Sequence, residues 1–267
     1  MSIRPIDDLP TAAVRSLRGI LCDIDDTLTW EGQLVPEAFL ALHRARAAGL
    51  RVVPITGRPA GWVDHLARMW PVDGVVGENG GLWYWVDGGR MHRRFAQSPL
   101  ERATHRERLA RLAVDLLEAV PGAALASDQP YRELDLAIDF CEDVPRLDDD
   151  AIDRILSLFR AAGAQAKVSS IHVNGWFGDF DKLSGCRAFH ADRWGTPLDP
   201  TEWAYFGDSA NDEPMFAAFP LSIGVANVEA FLSRMTAWPA WITAGSGGHG
   251  FAEGVDALLA RRTALSL

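Results

Sequence analysis

A chain of 267 residues and 29.2 kDa can bury one full core and carry a sizeable insertion. Its 48% hydrophobic and 23% charged residues exclude disorder, collagen-like repeats and a coiled coil. With 26 basic against 36 acidic residues, a formal net charge of −10, long-range attraction to nucleic acid or an anionic membrane is disfavoured, so an anionic substrate needs cations placed locally. Cys22, Cys141 and Cys186 are odd in number and widely spaced, without the pairing of a zinc site or a disulfide framework, and fit a reducing cytoplasm. Arg4, Asp7 and Asp8 interrupt the N-terminal segment, so no signal peptide is expected. The longest uncharged run, Pro214 to Val228, is too short and too broken by Pro, Gly, Ser and Asn to span a bilayer.

In chain order, the apolar run Ile20-Leu21-Cys22, the Ala/Leu-rich stretch Pro36 to Ala48 stopped by Gly49, and the apolar Val52 to Ile55 predict a strand–helix–strand unit. A second helix from Ala60 to Met69 leads to Val75-Val76, extending a parallel sheet covered on both faces. The carboxyl ends of these strands should bring Asp23, Thr56 and Glu78-Asn79 to one rim. After Gly81 the pattern changes. Trp83 to Val86 and the turn Asp87-Gly88-Gly89 predict a hairpin, and a domain boundary is placed here. Ser98-Pro99 opens a charged helix to Ala119, strands follow at Ala124 to Ala126 and Leu134 to Phe140, and a helix runs from Asp148 to Gly163. Strands Gln165 to Ser169 and Ile171 to Trp176 complete an inserted α+β unit of residues 83–180. From Lys182 the alternating pattern returns, with helices to Trp194, at Glu213 to Ala218 and from Val228, and strands Trp203 to Phe206 and Leu221 to Val225. The glycine cluster Gly245 to Gly250 reads as a surface loop. The fold class is therefore α/β: a Rossmann-like three-layer core with a parallel sheet, residues 1–82 and 181–267, plus the inserted cap.

Asp23-Ile24-Asp25-Asp26-Thr27 follows a buried strand with three carboxylates where one or two polar residues would serve a turn. Crowded carboxylates at a strand end repel unless a cation sits among them, and hard oxygen ligands of this kind suit Mg²⁺. Gly207-Asp208-Ser209-Ala210-Asn211-Asp212 follows another apolar strand in the same way, although a plain helix N-cap at Asp208 or Ser209 would explain one of its carboxylates. Thr56-Gly57-Arg58-Pro59 offers a hydroxyl and backbone amides at a helix start, a combination suited to phosphate oxygens. Lys182 supplies a point charge against a phosphate dianion.

In this order, Asp23 to Thr27, Thr56, Lys182, then Asp208 with Asp212, the motifs resemble those of the haloacid dehalogenase superfamily. The insertion resembles the large α/β cap of its sucrose-phosphatase-like, Cof-like and mannosyl-phosphoglycerate-phosphatase-like members. Glu78-Asn79-Gly80-Gly81 is similar to the asparagine-glycine turn before that cap, and Gly248 to Val255 to the family's C-terminal loop and helix. The resemblance implies Asp23 as nucleophile and Asp25 as general acid and base. It implies Mg²⁺ held by Asp23, the Asp25 carbonyl and Asp208, with Asp212 either joining that set or orienting Lys182. Thr56, Gly57, Arg58, Asn79, Lys182 and Asn211 would bind the substrate, with Ser209 supporting the loop.

The alternation of Ser169-Ser170-Ile171-His172-Val173-Asn174 marks His172 and Asn174 as cap residues for the leaving group, with Arg132 and Glu133 as a second pair and Trp176 as a stacking surface for a sugar. The expected function is hydrolysis of a small phosphorylated metabolite, a sugar phosphate or sugar-acid phosphate, by a cytoplasmic monomer or homodimer without nucleic-acid or membrane partners. A phosphomannomutase-like mutase and a non-catalytic sugar-phosphate sensor are the alternatives. The first needs cap cations for a second phosphate, and the second has no use for Asp23 and Asp25 two residues apart.

Overall fold

Short apolar strands alternating with helices fix the central layer, because side chains of successive strand residues point to opposite faces and both faces here are covered. The protein is described from a computed structural model covering residues 3–265. The first half of the chain comprises β1 (Arg4–Pro5), β2 (Gly19–Cys22), β3 (Thr29–Trp30), β4 (Gln33–Leu34), α1 (Pro36–Ala47), β5 (Arg51–Pro54), α2 (Ala60–Met69), β6 (Val75–Gly77), β7 (Leu82–Asp87) and β8 (Arg90–Phe95). Next come α3 (Pro99–Ala119), β9 (Ala124–Leu125), β10 (Asp135–Asp139), α4 (Asp149–Ala161), β11 (Gln165–Val168) and β12 (His172–Trp176). The chain ends with α5 (Lys182–Trp194), β13 (Trp203–Gly207), α6 (Glu213–Ala218), β14 (Leu221–Gly224), β15 (Trp241–Ile242) and α7 (Gly247–Ala264).

The main sheet has the order β1-β15-β14-β13-β2-β5 and is parallel throughout. Ile20, Cys22, Val52, Ala204 and Phe206 pack to one face with α1, α2 and α7, while Leu21, Val53, Trp203 and Tyr205 pack to the other with α5 and α6. This is the expected three-layer α/β core. In the inserted unit, the antiparallel sheet β11-β12-β10-β9 carries α3 and α4 on one face. Leu136, Ile138 and Val173 join that apolar face. By strand alternation His172 and Asn174 of β12, with Asp135 and Asp139 of β10, turn to the opposite face.

Several expectations are corrected. Val75-Val76 does not extend the parallel sheet as a full strand. It meets the sheet only at the bridge Ile55↔Val76 and pairs antiparallel with β7. The β7–β8 hairpin, placed at the start of the insertion by its sequence, packs with the core: Trp83 and Trp85 share a cluster with Leu21, Val53 and Phe189, and Trp83 Nε1 donates to Asp192 of α5 at 2.8 Å. The helix expected from Val228 is a 3-10 stretch, Ala226–Arg234. The glycine cluster is not a surface loop but the buried start of α7. A Cβ on Gly248 would lie 2.3 Å from Val35 Cγ2 and 2.4 Å from the Leu28 carbonyl oxygen, so only glycine lets this helix approach. The edge strand β1, its neighbour β15 and the β3–β4 hairpin, each strand two residues long, carry no pattern long enough to read in sequence.

Candidate active site

Adjacent strands β2 and β13 lead to helices that depart in opposite directions across the sheet, so the crevice above their carboxyl ends is a topological switch point, where open α/β sheets bind ligands. Asp23 follows β2 and Asp208 follows β13, and the Asp23 amide donates to the Phe206 carbonyl at 2.9 Å, fixing the two acids side by side. Both are buried, at 4% and 1% exposure. Asp23 Oδ1 accepts from the Ile24 amide at 2.8 Å. Its Oδ2 accepts from Lys182 Nζ at 2.8 Å, and the same ammonium donates to Asp212 Oδ1 at 2.7 Å and Asn211 Oδ1 at 3.3 Å.

Lys182 reaches this point because α5 starts hard against the 78–80 turn. Asp181 and Ser184 form a capping box there. A Cβ on Gly185 would stand 2.5 Å from Gly80 Cα, and Gly80, at φ +100°, faces the Asp181 carbonyl oxygen. Burial opposes the Lys182 charge, but the Asp212 and Asp23 carboxylates outweigh it and push its pKa up. Burial pushes Asp23 up to about 7, with Asp212 and Asp25 adding to the rise and Lys182 resisting it. Burial, with Asp212 and Asp23, raises Asp208 well above the usual carboxylate range.

The donor set fits a hard divalent cation. Asp23, Asp208 and Asp212 each offer an oxygen, all within 4.8 Å of one another. Asp208 Oδ1 accepts from Thr27 Oγ1 at 3.0 Å, whereas Oδ2 is buried without a hydrogen-bond partner. Asp212 is differently placed. Its Oδ1 takes Lys182 and the Tyr205 hydroxyl (2.5 Å), and its Oδ2 takes the amides of Asp208 (2.9 Å) and Ser209 (3.2 Å). Each Asp212 oxygen thus accepts two donors, so Asp212 holds Lys182 and the Asp208 loop in place, while Asp208 Oδ2 has no hydrogen-bond partner. Asn211 holds Lys182 and accepts from Ser209 Oγ at 3.0 Å, so it too serves the loop.

Around this centre, Thr56 Oγ1 accepts from the Arg58 amide at 2.9 Å and lies 3.5 Å from Asp25 Oδ2. Arg58, 6% exposed, holds Asp25 with Nε at 2.9 and 3.2 Å. The other edge of its guanidinium grips Glu142 at 2.7 and 3.3 Å, with Asp128 at 3.5 Å. His172 Nε2 stands 2.9 Å from Glu142 Oε2, off the hydrogen-bonding direction. Asn174 Nδ2 donates to Asp135 at 2.9 Å. A cavity of about 10 Å³ is lined by Asp23, Asp25, Gly57, Arg58, His172 and Asn174, together with Ser169 to Ile171, Ser209 and Asn211. The core motifs and the two cap residues marked by alternation are thus brought together. Asn79, at φ 54°, is buried beside Gly57 with its Nδ2 unpartnered. Buried polar groups are nearly always paired. Of the five buried side-chain atoms without a hydrogen-bond partner among the described residues, those of Asn79, Asp128, His172 and Asp208 gather at this junction, Asp128 and His172 still in ion-pair contact with Arg58 and Glu142, and only Arg193 lies elsewhere.

Other candidates are placed elsewhere. Trp176 offers no stacking surface: its ring stacks on Phe180 at 5.6 Å and its Nε1 donates to the Phe180 carbonyl. Glu133 pairs outward with Arg106. Arg132 is a strut, donating to the Gly57 carbonyl at 2.8 Å while paired with Asp128 and Asp135. Glu78 does the same from the core. Burial, with Asp135 adding, pushes it up to about 8, and its carboxylate accepts the amides of Ala60, Glu133 and Leu134 at 2.6 to 2.9 Å. Asp128, Asp135 and Glu142 were not marked by sequence, since single acidic residues stand out little in a chain with 36 of them.

A parallel sheet whose adjacent strand ends present a lysine-held aspartate, a second aspartate with a buried oxygen lacking a hydrogen-bond partner, and a hydroxyl-bearing turn is an α/β protein suited to phosphoryl chemistry. No protein-family model matches the chain. It is 31% identical over 247 residues to the phosphoglycolate phosphatase of Pyrobaculum neutrophilum, covering 90% of this chain and 95% of that one. In fold it is similar to a phosphatase of the haloalkanoate (HAD) superfamily from Bacteroides thetaiotaomicron (TM-score 0.61, 18% identity, 91% and 96% of the chains). It is likewise similar to the sucrose-phosphatase of Synechocystis, solved with sucrose and phosphate (TM-score 0.64, 16% identity, 91% and 98%). The chain belongs to the haloacid dehalogenase superfamily, with the Cof-like and sucrose-phosphatase-like architecture, and it is a phosphatase.

Proposed function

We propose that the protein is a Mg²⁺-dependent phosphomonoesterase that works through an aspartyl-phosphate on Asp23, with a small phosphorylated metabolite, a sugar phosphate or a phosphorylated acid, as substrate. One observation carries this reading: Asp23 is immobilised by Lys182 and its own loop directly beside Asp208, whose Oδ2 is buried and unpartnered. Asp23 and Asp208, with the Asp25 carbonyl that the family resemblance implies, would hold Mg²⁺, which supplies charge neutralisation between nucleophile and phosphate. The Asp23 carboxylate attacks phosphorus while Asp25 gives its proton to the departing ester oxygen, releasing the alcohol. Asp25, now a carboxylate, takes a proton from water as that water attacks the aspartyl-phosphate, releasing inorganic phosphate and restoring Asp23. Lys182 remains a cation throughout and, with Thr56 and the amides after it, neutralises the phosphoryl oxygens. Residues 83–180 act as a cap that excludes water from this exchange, the β7–β8 hairpin excepted by its packing onto the core.

The phosphoglycolate phosphatase activity named for the Pyrobaculum relative, and the sugar-phosphate names of structural neighbours, support a substrate of this size and class. A mutase finds less support, because the two arginines at the cap junction, Arg58 and Arg132, are each paired with carboxylates. A cytoplasmic site of action is supported by three free cysteines, and among the described residues no helix is long and apolar enough to cross a membrane. The test is inorganic phosphate release from phosphoglycolate, sugar phosphates and an aryl phosphate, in Mg²⁺ or EDTA. Metal-dependent release from one group of esters is expected, and release that persists in EDTA would refute the metal dependence.

A further inference from the structure

We propose that Arg58 and His172 form a subsite for a carboxylate on the leaving group, and that Glu142 is a displaceable internal occupant of that subsite. This rests on the phosphatase reading above and specifies its substrate as the phosphate ester of a short hydroxy acid.

The subsite is built rather than incidental. Arg58 is a core residue whose Nε and Nη2 hold the general acid Asp25 while Nη1 and Nη2 meet both oxygens of Glu142, a bidentate geometry matched to carboxylates, so the two carboxylates lie side by side on the guanidinium. His172, 2% exposed, places Nε2 2.9 Å from Glu142 Oε2 but off the hydrogen-bonding direction, so the same nitrogen can meet a better-aligned ligand carboxylate. Glu142 is delivered by a designed turn: the buried Asp139 at the end of β10 accepts the amides of Cys141, Glu142 and Asp143 at 2.8 to 2.9 Å. Burial works against the Glu142 charge, but His172 and Arg58 prevail and hold its pKa down to about 2. With 28% of its side chain still exposed, it can swing to solvent without unfolding that turn.

Arg58 and His172, the two residues that hold Glu142, line a small cavity beside Asp23 and Asp25. About 10 Å³ holds roughly one water, far less than a phosphate ester requires. A substrate carboxylate arriving at Arg58 replaces one buried ion pair with another, so no buried charge is left unpaired when Glu142 departs. A neutral leaving group has no such exchange to offer: either Glu142 stays and crowds it, or Arg58 loses a partner. Because the same guanidinium holds Asp25, a carboxylate one carbon from the ester oxygen sets that oxygen beside its proton donor.

The experiment compares kcat/KM for 2-phosphoglycolate and for ethyl phosphate, which lacks the carboxylate, in wild type, Glu142→Ala, Glu142→Gln and Arg58→Lys with Mg²⁺. Wild type should prefer 2-phosphoglycolate. Glu142→Ala should raise that preference about tenfold, mainly through a lower KM, because the competitor is gone. Glu142→Gln, the same size and able to report if the alanine variant folds poorly, should raise it by less, and Arg58→Lys should collapse it. An unchanged preference in the Glu142 variants, or an equal loss on both esters, overturns the subsite while leaving the phosphatase reading intact. No Mg²⁺-dependent release from either ester by wild type overturns both.

Discussion

Asp208→Asn makes the protein more stable without metal and blind to metal. Asp208, Asp23 and Asp212 have oxygens within 4.8 Å of one another, and one buried cation, Lys182, pairs with Asp23 and Asp212. A like-charge pair at that separation costs about 3 kcal/mol at an effective dielectric of about 20, and proton uptake relieves part of it, which is why the Asp208 pKa is raised. Asparagine keeps the Oδ1 that accepts from Thr27 at 3.0 Å and replaces the unpartnered Oδ2 with a donor that neighbouring carboxylates can take up. A gain of about 1–3 kcal/mol is therefore expected in EDTA, an increase of roughly 3–10 °C in Tm for a chain of this size. Wild type in Mg²⁺ at about 100 times its Kd should gain about 2.7 kcal/mol, and the variant close to none, with phosphate release lost. Calorimetry in EDTA and in Mg²⁺ reads both effects. A variant less stable than wild type in EDTA, or one that keeps the wild-type Mg²⁺ shift, would refute this account of the acidic cluster.

Lys182→Met leaves Asp23 and Asp212 buried without their cation and should cost about 3–5 kcal/mol in urea denaturation, with kcat down at least about a hundredfold. Gly185→Ala places a methyl 2.5 Å from Gly80 Cα and should cost about 1–3 kcal/mol while lowering kcat more than KM rises, since Lys182 moves off its partners. Glu142 has a folded pKa of about 2, depressed below 4.5, so its stabilisation is present above pH 4.5 and is lost as pH falls towards 2. Glu142→Gln should accordingly be less stable than wild type at neutral pH, by about 1 kcal/mol after allowance for a part-exposed side chain, and the two should converge in acid. A pH-independent difference in denaturation midpoints would contradict that assignment.

The acidic rim was legible because two buried strands each end in a cluster of carboxylates, an arrangement no solvated turn requires, and strand alternation sent His172 and Asn174 to the side away from Val173. What escaped the sequence has physical causes. Gly247, Gly248 and Gly250 read as loop because glycine is a poor helix former, yet close packing of Gly248 on Leu28 and Val35, of Gly247 on Thr29 and Trp30, and of Gly250 on Gly245 and Thr243 overrides that propensity. Trp83 and Trp85 sit after a change in local pattern, but which sheet they cover depends on contacts with Leu21 and Phe189, distant in sequence. Glu142 and Asp128 acquire their meaning only where the chain folds back on Arg58, 84 residues away in the case of Glu142.

The most direct test of the central claim is a single-turnover experiment with a radiolabelled phosphate ester and excess enzyme, quenched in acid and digested. Transient label is expected on the peptide containing Asp23, decaying as inorganic phosphate appears, and no label with Asp23→Asn of unchanged fold. Phosphate release by that variant at the wild-type rate would contradict it.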